Sequence, residues 1–497
     1  MSPLYSVAEI RDIERRAAAT LPAGTLMRRA GQAASSAALE MLGEDAGAAK
    51  VLLLAGPGNN GGDAFEAAAN LAETGVDVSI IHLPSHGPVS VETARALDRA
   101  RASSARFIDT LPHDCDYALV IDGLFGIGLG RALAGAARHL VLTVNALGLR
   151  VLALDVPSGL DADTGGPVGP DGVAIEACCT ITFIADKPGL HTFHGRDCAG
   201  EVLVASLGVD AVLLPRATAR LGDPALFQTS LAPRRHNSHK GSFGDVAILG
   251  GAAGMAGAAV LTARGALFAG AGRVFVAAID PGPAFDSLQP EIMFRDAASF
   301  KSDSCTMVLG PGMGDSAQAM RALLKALDSA APLVVDADAL NLIAASPDLQ
   351  GHLVARSAGA VLTPHPLEAA RLLGVTAAVV QGDRLAAARE LAARYAKIVV
   401  LKGSGSIIAD PQGMAVVNTT GNPGLATGGT GDVLAGVCGS LLAQGWPAWE
   451  AALGAVWMHG AAADRLVDGG AGPIGLTAGE LPAAVRAVLN GLVARPN

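Results

Sequence analysis

The strongest constraint on the fold is a recurring unit, in which a short apolar run ends in Gly, Asp or Pro and a segment of helical length follows. In the first half the runs are KVLLLAG, DVSIIHL, YALVIDGLFG, LRVLALDVPSG, ACCTITFIA and GEVLVASLGV. In the second they are DVAILGG, RVFVAAI, TMVLGPG, PLVVDADAL, GAVLTPH and KIVVLKG. Such runs predict largely parallel sheets with helices covering both faces. Before them, Ser6 and Glu9 form a capping-box pattern opening a helix over SVAEIRDIERRAA, and LMRRAGQAASSAALEML reads as a second helix. The rhythm fails over 211–240, where prolines, arginines and small polar residues gather. Two α/β domains are therefore expected, over 1–215 and 216–497, with a long helical tail on the second. The halves do not read as repeats of one another.

A net charge of −10 gives no reason to expect nucleic-acid binding. The six cysteines include no C-x-x-C pair and read as free, buried thiols of a reducing compartment. The N-terminus has no apolar signal core, and the apolar stretch Ala252–Ala278 is broken by Arg264, Arg273 and glycines. The expectation is a cytoplasmic protein that neither crosses nor binds a membrane.

After the run VLLLA, Gly56-Pro57-Gly58-Asn59-Asn60-Gly61 satisfies G-x-G-x-x-G and leads into a helix-like stretch, the setting of a dinucleotide loop. A hydride-transfer enzyme also needs an acid at the end of the next strand to hold the ribose. Asp77 stands at the start of DVSIIHL, whose end is His82-Leu83-Pro84, and Asn59, Asn60 and Asp63 make the loop unusually polar. The ordinary cofactor-loop reading is therefore disfavoured. Asn60, Asp122, Asp155 and Ser158 all follow predicted strands, and parallel sheets bind ligands at those ends. Oxygen donors with few formal charges suit a hard monovalent cation. Gly126, Gly128 and Gly130 allow backbone N–H groups near an anion such as a pyrophosphate. Taken singly, each of these residues is also an ordinary turn former.

The second glycine-rich stretch, GNPGLATGGTGDVLAG, places Gly431 and Asp432 at the start of an apolar helix. Glycines there expose N–H groups to a phosphate, and an Asp can take the proton of an attacking hydroxyl. The competing reading is a turn with Asp432 as a simple N-cap. It is not a Walker loop, because G-x-x-x-x-G-K-[ST] is absent. Lys402, Gly403, Ser404, Gly405 and Ser406 follow the strand KIVVL, and His365 follows GAVLT. Asp336 and Asp338 serve equally as strand-end turn formers, and His236 and His239 are assigned no metal.

GPGNNGGD, DGLFGIGL, LDVPSGLDADTG and TFIADKPGLHTFHGRDCAGEV together resemble the epimerase domain of the NAD(P)H-hydrate repair enzymes. The resemblance spans nearly all of residues 5–210 and implies a Rossmann-like three-layer α/β/α domain. It implies that Asn59, Asn60, Gly61, Gly62 and Asp63, with Gly126, Ile127, Gly128, Leu129, Gly130, Arg131 and Ala132, bind the hydrated nucleotide. It further implies K⁺ held by Asn60, Asp122 and Ser158, and a substrate contact at Asp155, whose carboxylate is the candidate catalytic acid/base. Ala64, Glu66 and Arg28 depart from the pattern.

HKGSFGDVAILGGAAGMAGAAVLTARGALFAGAGRV, LGPGMG, DADALN, TPHP, LKG and NPGLATGGTGDVLAG resemble the ADP/ATP-dependent NAD(P)H-hydrate dehydratases. This covers about 230–490 and implies a ribokinase-like α/β domain. Lys402–Ser406 and Gly431 would bind the adenine nucleotide, with Mg²⁺, while Ala258, Gly314, His365 and Asp432 would contact the hydrate. Leu367 replaces a glycine of the pattern. The pair implies a homo-oligomeric enzyme that interconverts R and S hydrates of NADH and NADPH. It then dehydrates the S form at the expense of ADP or ATP, with Asp432 as base. The alternative is a ribokinase-like vitamin-precursor kinase fused to a non-catalytic nucleotide-binding module.

Overall fold

The computed structural model describes residues 2–84, 87–112, 116–300 and 305–494. Among them the chain separates into two compact units, Ser2–Ala219 and Arg220 onward. Of the six cysteines, Cys115 lies outside the described residues. Cys179, Cys198, Cys305 and Cys438 are free and buried, whereas Cys178 is exposed, which corrects the expectation of uniformly buried thiols. It sits just before its strand begins, between the buried Ala177 and Cys179, on the outward side of the alternation.

In the first unit, seven parallel strands form one sheet: β1 (Lys50–Ala55), β2 (Asp77–His82), β3 (Arg106–Phe107), β4 (Leu119–Gly123), β5 (Val151–Leu154), β6 (Cys179–Phe183) and β7 (Glu201–Ala205). Their order is β3-β2-β1-β4-β5-β6-β7. This is the doubly wound arrangement, and its order reverses between β1 and β4. Alternation along β1 shows why both faces are covered. Val51, Leu53 and Ala55 pack with residues of the helices Val7–Ala18, Thr25–Leu42 and Asn59–Glu73. Leu52 and Leu54 pack on the other face with Leu140, Val141 and Val144 of the helix Gly135–Leu147. The first helix opens with the predicted reciprocal bonds of Ser6 and Glu9.

The second unit's main sheet holds β8 (Asp245–Gly250), β9 (Arg273–Ala278), β10 (Met293–Asp296), β11 (Thr306–Leu309), β12 (Leu333–Val335), β13 (Ala360–Leu362), β14 (Ile398–Leu401), β15 (Ile407–Ala409) and β16 (Ala415–Val417). They lie in the order β16-β15-β14-β13-β12-β11-β8-β9-β10, parallel from β14 to β10, with β15 and β16 antiparallel. The helix Thr430–Ala443 is buried along nearly its whole length, among residues of the helix Ala256–Phe268 and of the long helix Ala448–Asp468. No helix among the described residues is long and apolar enough to cross a membrane.

Candidate active sites

Asn60 stands in the first turn of the helix after β1, Asp122 near the end of β4, and Asp155 and Ser158 directly after β5. The switch point thus brings these four to one crevice, as strand-end placement requires. A cavity of about 680 Å³ opens there. Its lining includes Asn59, Asn60, Asp63, Gly126, Ile127, Gly128, Leu129 and Asp155, with Glu14 and Met27 from the first two helices. Gly61 and Gly62 are buried in the first helical turn instead. A Cβ on Gly61 would meet the Gly56 carbonyl at 1.9 Å, so Gly61 lets the helix close on the end of β1. One on Gly62 would meet the Met27 side chain at 2.5 Å, so Gly62 makes room for the second helix. Gly130, Arg131 and Ala132 continue the same loop as exposed residues outside the cavity lining.

Asp122 is fully buried. Its Oδ1 accepts from Ser158 Oγ at 2.7 Å and Leu124 N–H at 3.2 Å, and its Oδ2 accepts from Ser158 N–H at 2.8 Å. Burial raises its carboxyl to about 6, against the lowering effect of those bonds. Among the described residues no lysine, arginine or histidine pairs with it. Asn60 donates Nδ2 to Leu154 O at 3.2 Å, and its buried Oδ1 has no hydrogen-bond partner. A buried carboxylate and an orphaned amide oxygen at adjacent strand ends are what an oxygen-liking cation would satisfy.

Asp155 adopts a left-handed backbone, φ 65°, and is buried. Its Oδ2 accepts from Ile127 N–H at 3.2 Å and its Oδ1 from Lys187 Nζ at 2.7 Å. Gly126 is required beside it, because a Cβ there would lie 2.7 Å from Asp155 Oδ2. Loss of water, then Asp155, Glu14 and Glu66, hold the Asp63 carboxyl well above the usual range. Burial and then Asp155 also raise Glu14. The departures from the family pattern have partners: Glu66 pairs with Arg99 at 2.5 Å, and Ala64 packs beneath Gly123. Asp77, at the start of β2, pairs with Arg106 at 2.7 Å, at the opposite end of that strand from where a ribose-holding acid stands. Glu14 and Lys187 escaped the sequence reading. Lys187 lies in the quoted ADKPG, but nothing in the linear pattern aims it at Asp155.

In the second unit the strand ends meet around Lys402. Its Nζ lies 2.6 Å from Asp336 Oδ1 and 4.0 Å from Glu368 Oε2. A Cβ on Gly431 would lie 3.4 Å from the same nitrogen. Burial opposes the ammonium, but Asp336, Glu368 and Asp432 outweigh it and raise its affinity for the proton. The N-cap of the helix Thr430–Ala443 is Gly429, φ 91°, and Asp432 sits in its first turn. The simple-cap reading of Asp432 therefore does not hold. Burial, then Asp336, push the Asp432 carboxyl up to about 6, with Lys402 opposing. Burial likewise raises Glu368 to about 7.

His365 caps the helix Pro366–Leu373. Its ring Nδ1 accepts from Leu367 N–H at 3.1 Å and Glu368 N–H at 3.4 Å, while its backbone N–H donates to Glu368 Oε2 at 2.7 Å. Burial and then Lys402 lower its proton affinity, and acceptance at Nδ1 puts the proton of the neutral ring on Nε2. Leu367, with its side chain turned outward, leaves this cap intact. Asp338 Oδ2 accepts from Gly314 N–H at 2.9 Å and anchors the loop after β11. Gly403 (φ 140°) and Gly405 (φ 60°) turn the loop after β14, and Ser406 Oγ donates to Gly403 O at 3.1 Å. Ala258 is partly buried in the first turn of the helix Ala256–Phe268. The sequence reading also missed Glu368 and His459. His459 Nε2 donates to Thr430 O at 2.9 Å from a buried position. Among the described residues no three His, Cys, Asp or Glu side chains are gathered to hold a metal by themselves.

A family model described as YjeF-related protein N-terminus matches residues 23–189, and one described as NAD(P)H-hydrate dehydratase matches residues 246–480. The bifunctional NAD(P)H-hydrate repair enzyme Nnr of Coxiella burnetii is 36% identical over 99% of this chain and 100% of its own length. That of Escherichia coli K12 is 38% identical over 92% of this chain and 88% of its own. Among solved structures, an ADP/ATP-dependent NAD(P)H-hydrate dehydratase from Bacillus subtilis, co-crystallized with ATP/Mg²⁺, is 30% identical. It covers 55% of this chain and 98% of its own, with a TM-score of 0.48.

Proposed function

The chain belongs to the family of bifunctional NAD(P)H-hydrate repair enzymes, and on that premise we propose how its two units divide the work. The protein is an enzyme with an epimerase domain and a dehydratase domain for hydrated NADH and NADPH. The first unit epimerises the hydroxyl-bearing carbon beside the ring nitrogen. The second dehydrates the S form with ADP or ATP, releasing phosphate and, from ADP, AMP. The observation that carries the first assignment is the meeting of Asn60, Asp122, Asp155 and Ser158 at the switch point beside one cavity.

The nitrogen lone pair of the hydrated ring helps the C–O bond open, so the centre loses and regains its configuration through an open or iminium-like species. Asp155, facing the cavity, moves the proton and faces the developing positive charge. The loop Asn59–Asp63 and the segment Gly126–Ala132 bind the nucleotide. Asn60, Asp122 and Ser158, whose oxygens include the orphaned amide atom, would hold K⁺, which would neutralise the buried carboxylate and stiffen the substrate loop. The damaged nucleotide is the substrate of the G-x-G-x-x-G loop, not a hydride cofactor.

In the second unit Asp432 takes the proton of the hydrate hydroxyl as its oxygen attacks the terminal phosphoryl group. The C–O bond of the phosphorylated intermediate then breaks, phosphate leaves, and loss of the neighbouring carbon's proton restores the ring double bond. The N–H groups at Gly431 and Lys402 stabilise the charge of the transferring phosphoryl. Lys402–Ser406 hold the adenine nucleotide, and Ala258, Gly314 and His365 contact the hydrate. Asp336 and Glu368 would offer carboxylates to Mg²⁺ carried in on the nucleotide phosphates, where it would supply charge neutralisation. The enzyme acts as a cytoplasmic homo-oligomer.

The test uses the full chain, mixed hydrate epimers, Mg²⁺, K⁺ and ADP or ATP, with chromatography of the epimers and recovery of NADH absorbance. Asp155→Asn should dehydrate the S form and leave R behind. Asp432→Asn should interconvert the epimers without making NADH. Accumulation of a stable phosphorylated product would favour the kinase reading, and full activity of either variant would remove its residue from the chemistry.

A further inference from the structure

Lysine is among the side chains least often buried, yet Lys187 is entirely enclosed. It lies four residues beyond β6, past Ile184, whose φ of 68° turns the chain back. All three ammonium protons have acceptors: Asp155 Oδ1 at 2.7 Å, Thr182 Oγ1 at 2.6 Å and Phe183 O at 3.0 Å. Lys187 does not line the cavity, whereas Asp155 does. Asp155 is thereby held from two sides, by Lys187 on Oδ1 and by Ile127 N–H on Oδ2, on a backbone in the left-handed region. A carboxylate on so constrained a backbone has few ways to keep its orientation if one of those anchors is lost.

We propose that Lys187 is a positioning residue of the epimerase site, acting through Asp155: from outside the cavity it fixes the direction of the carboxylate that meets the substrate. The inference rests on the role given to Asp155 above. It also gives a task to the ADKPG segment, none of whose residues lines the cavity.

The test measures epimer interconversion by the full-length protein, together with the stoichiometry and Kd of NADPH, which shares the substrate's nucleotide portion. With Lys187→Met, kcat should fall on the order of 100-fold, the loss typical of a displaced reacting group. KM and NADPH stoichiometry should stay near those of the wild type. A wild-type kcat, or a stoichiometry that falls in step with kcat, would overturn the proposal, the latter because it marks mere loss of folded sites. Where Lys187→Met does not accumulate as folded protein, Thr182→Val decides. It keeps the lysine but removes one of its anchors, so kcat should fall severalfold at full stoichiometry, and an unchanged kcat overturns the proposal. Asp155→Asn is run in parallel. If it retains full interconversion, the reading of Asp155 itself has failed; if it is inactive while Lys187→Met is not, only the role of Lys187 has.

Discussion

Asn60 Nδ2 donates to the carbonyl of Leu154 at 3.2 Å, and this bond decides which way the amide points. With the nitrogen so committed, Oδ1 is turned into a buried space where it meets no donor. An unpaired buried oxygen costs free energy, and the cost is removed if a cation occupies that space. Asn60→Leu keeps the bulk and removes the oxygen. The K⁺ concentration for half-maximal epimerase activity should rise at least about tenfold, as for lost metal-site contacts, with dehydratase activity unchanged. An unaltered K⁺ titration would take Asn60 out of the cation site.

Gly126 has no room for a side chain on its Asp155 side, where a Cβ would come within 2.7 Å of Oδ2 and 3.4 Å of Asn60 Cγ. Gly126→Ala should therefore push the Asp155 carboxylate aside without touching the core. Epimerase kcat should drop on the order of 100-fold, the effect of a displacement near one ångström. Steady-state kinetics on the R and S hydrates checks this, and the thermal midpoint should move little.

Lys402 is the cation between Asp336, Glu368 and Asp432. Lys402→Met would leave the buried Asp336 without its partner, which in such pairs costs about 3–5 kcal/mol. Dehydratase activity should disappear, the second unit should unfold at lower denaturant, and epimer interconversion should persist. The three tryptophans, Trp446, Trp449 and Trp457, all lie in the second unit, so their fluorescence follows its unfolding.

His459 gives the second unit a defined acid sensitivity. Burial lowers its proton affinity from 6.5 to about 4, against the opposing bond to Thr430 O. The folded unit therefore prefers neutral imidazole, and the unfolded chain takes up the proton first as pH falls. This contribution is fully present above about pH 6.5 and is lost towards pH 4, amounting to on the order of 3 kcal/mol. The raised carboxyls of Glu368 and Asp432 in the same unit act in the opposite direction. Urea unfolding followed by tryptophan fluorescence therefore reads the His459 effect as a difference: from about pH 6.5 to about pH 4 the wild type should lose stability relative to His459→Gln. Equal slopes in the two proteins would remove His459 as a source.

Much of the site was legible because strand-end chemistry is local. Asn60, Asp122, Asp155 and Ser158 each follow an apolar run, and a parallel sheet sends all such ends to one edge. Gly61 was harder, since a glycine that binds phosphate and one that lets a helix touch a strand look alike in sequence. Here the contact with the Gly56 carbonyl adds the second task to the proposed first. Asp432 and His365 show the same limit in opposite directions. The cap of the Asp432 helix is Gly429, so the Asp432 carboxylate makes no capping bond, whereas His365 does cap its helix, through a ring nitrogen.

The sequence by itself determined the two parallel-sheet units, the polar loops at their strand ends and the family that combines them. These follow from periodicity and from residues close together along the chain. The tertiary structure alone decided the strand order β3-β2-β1-β4-β5-β6-β7, and so which loops share a crevice. It also decided that Lys187 reaches Asp155 across 32 residues and that Lys402 reaches Asp336 across 66. Such pairings depend on which strand lies beside which and on where burial withdraws water, and neither quantity is carried by any short stretch of sequence.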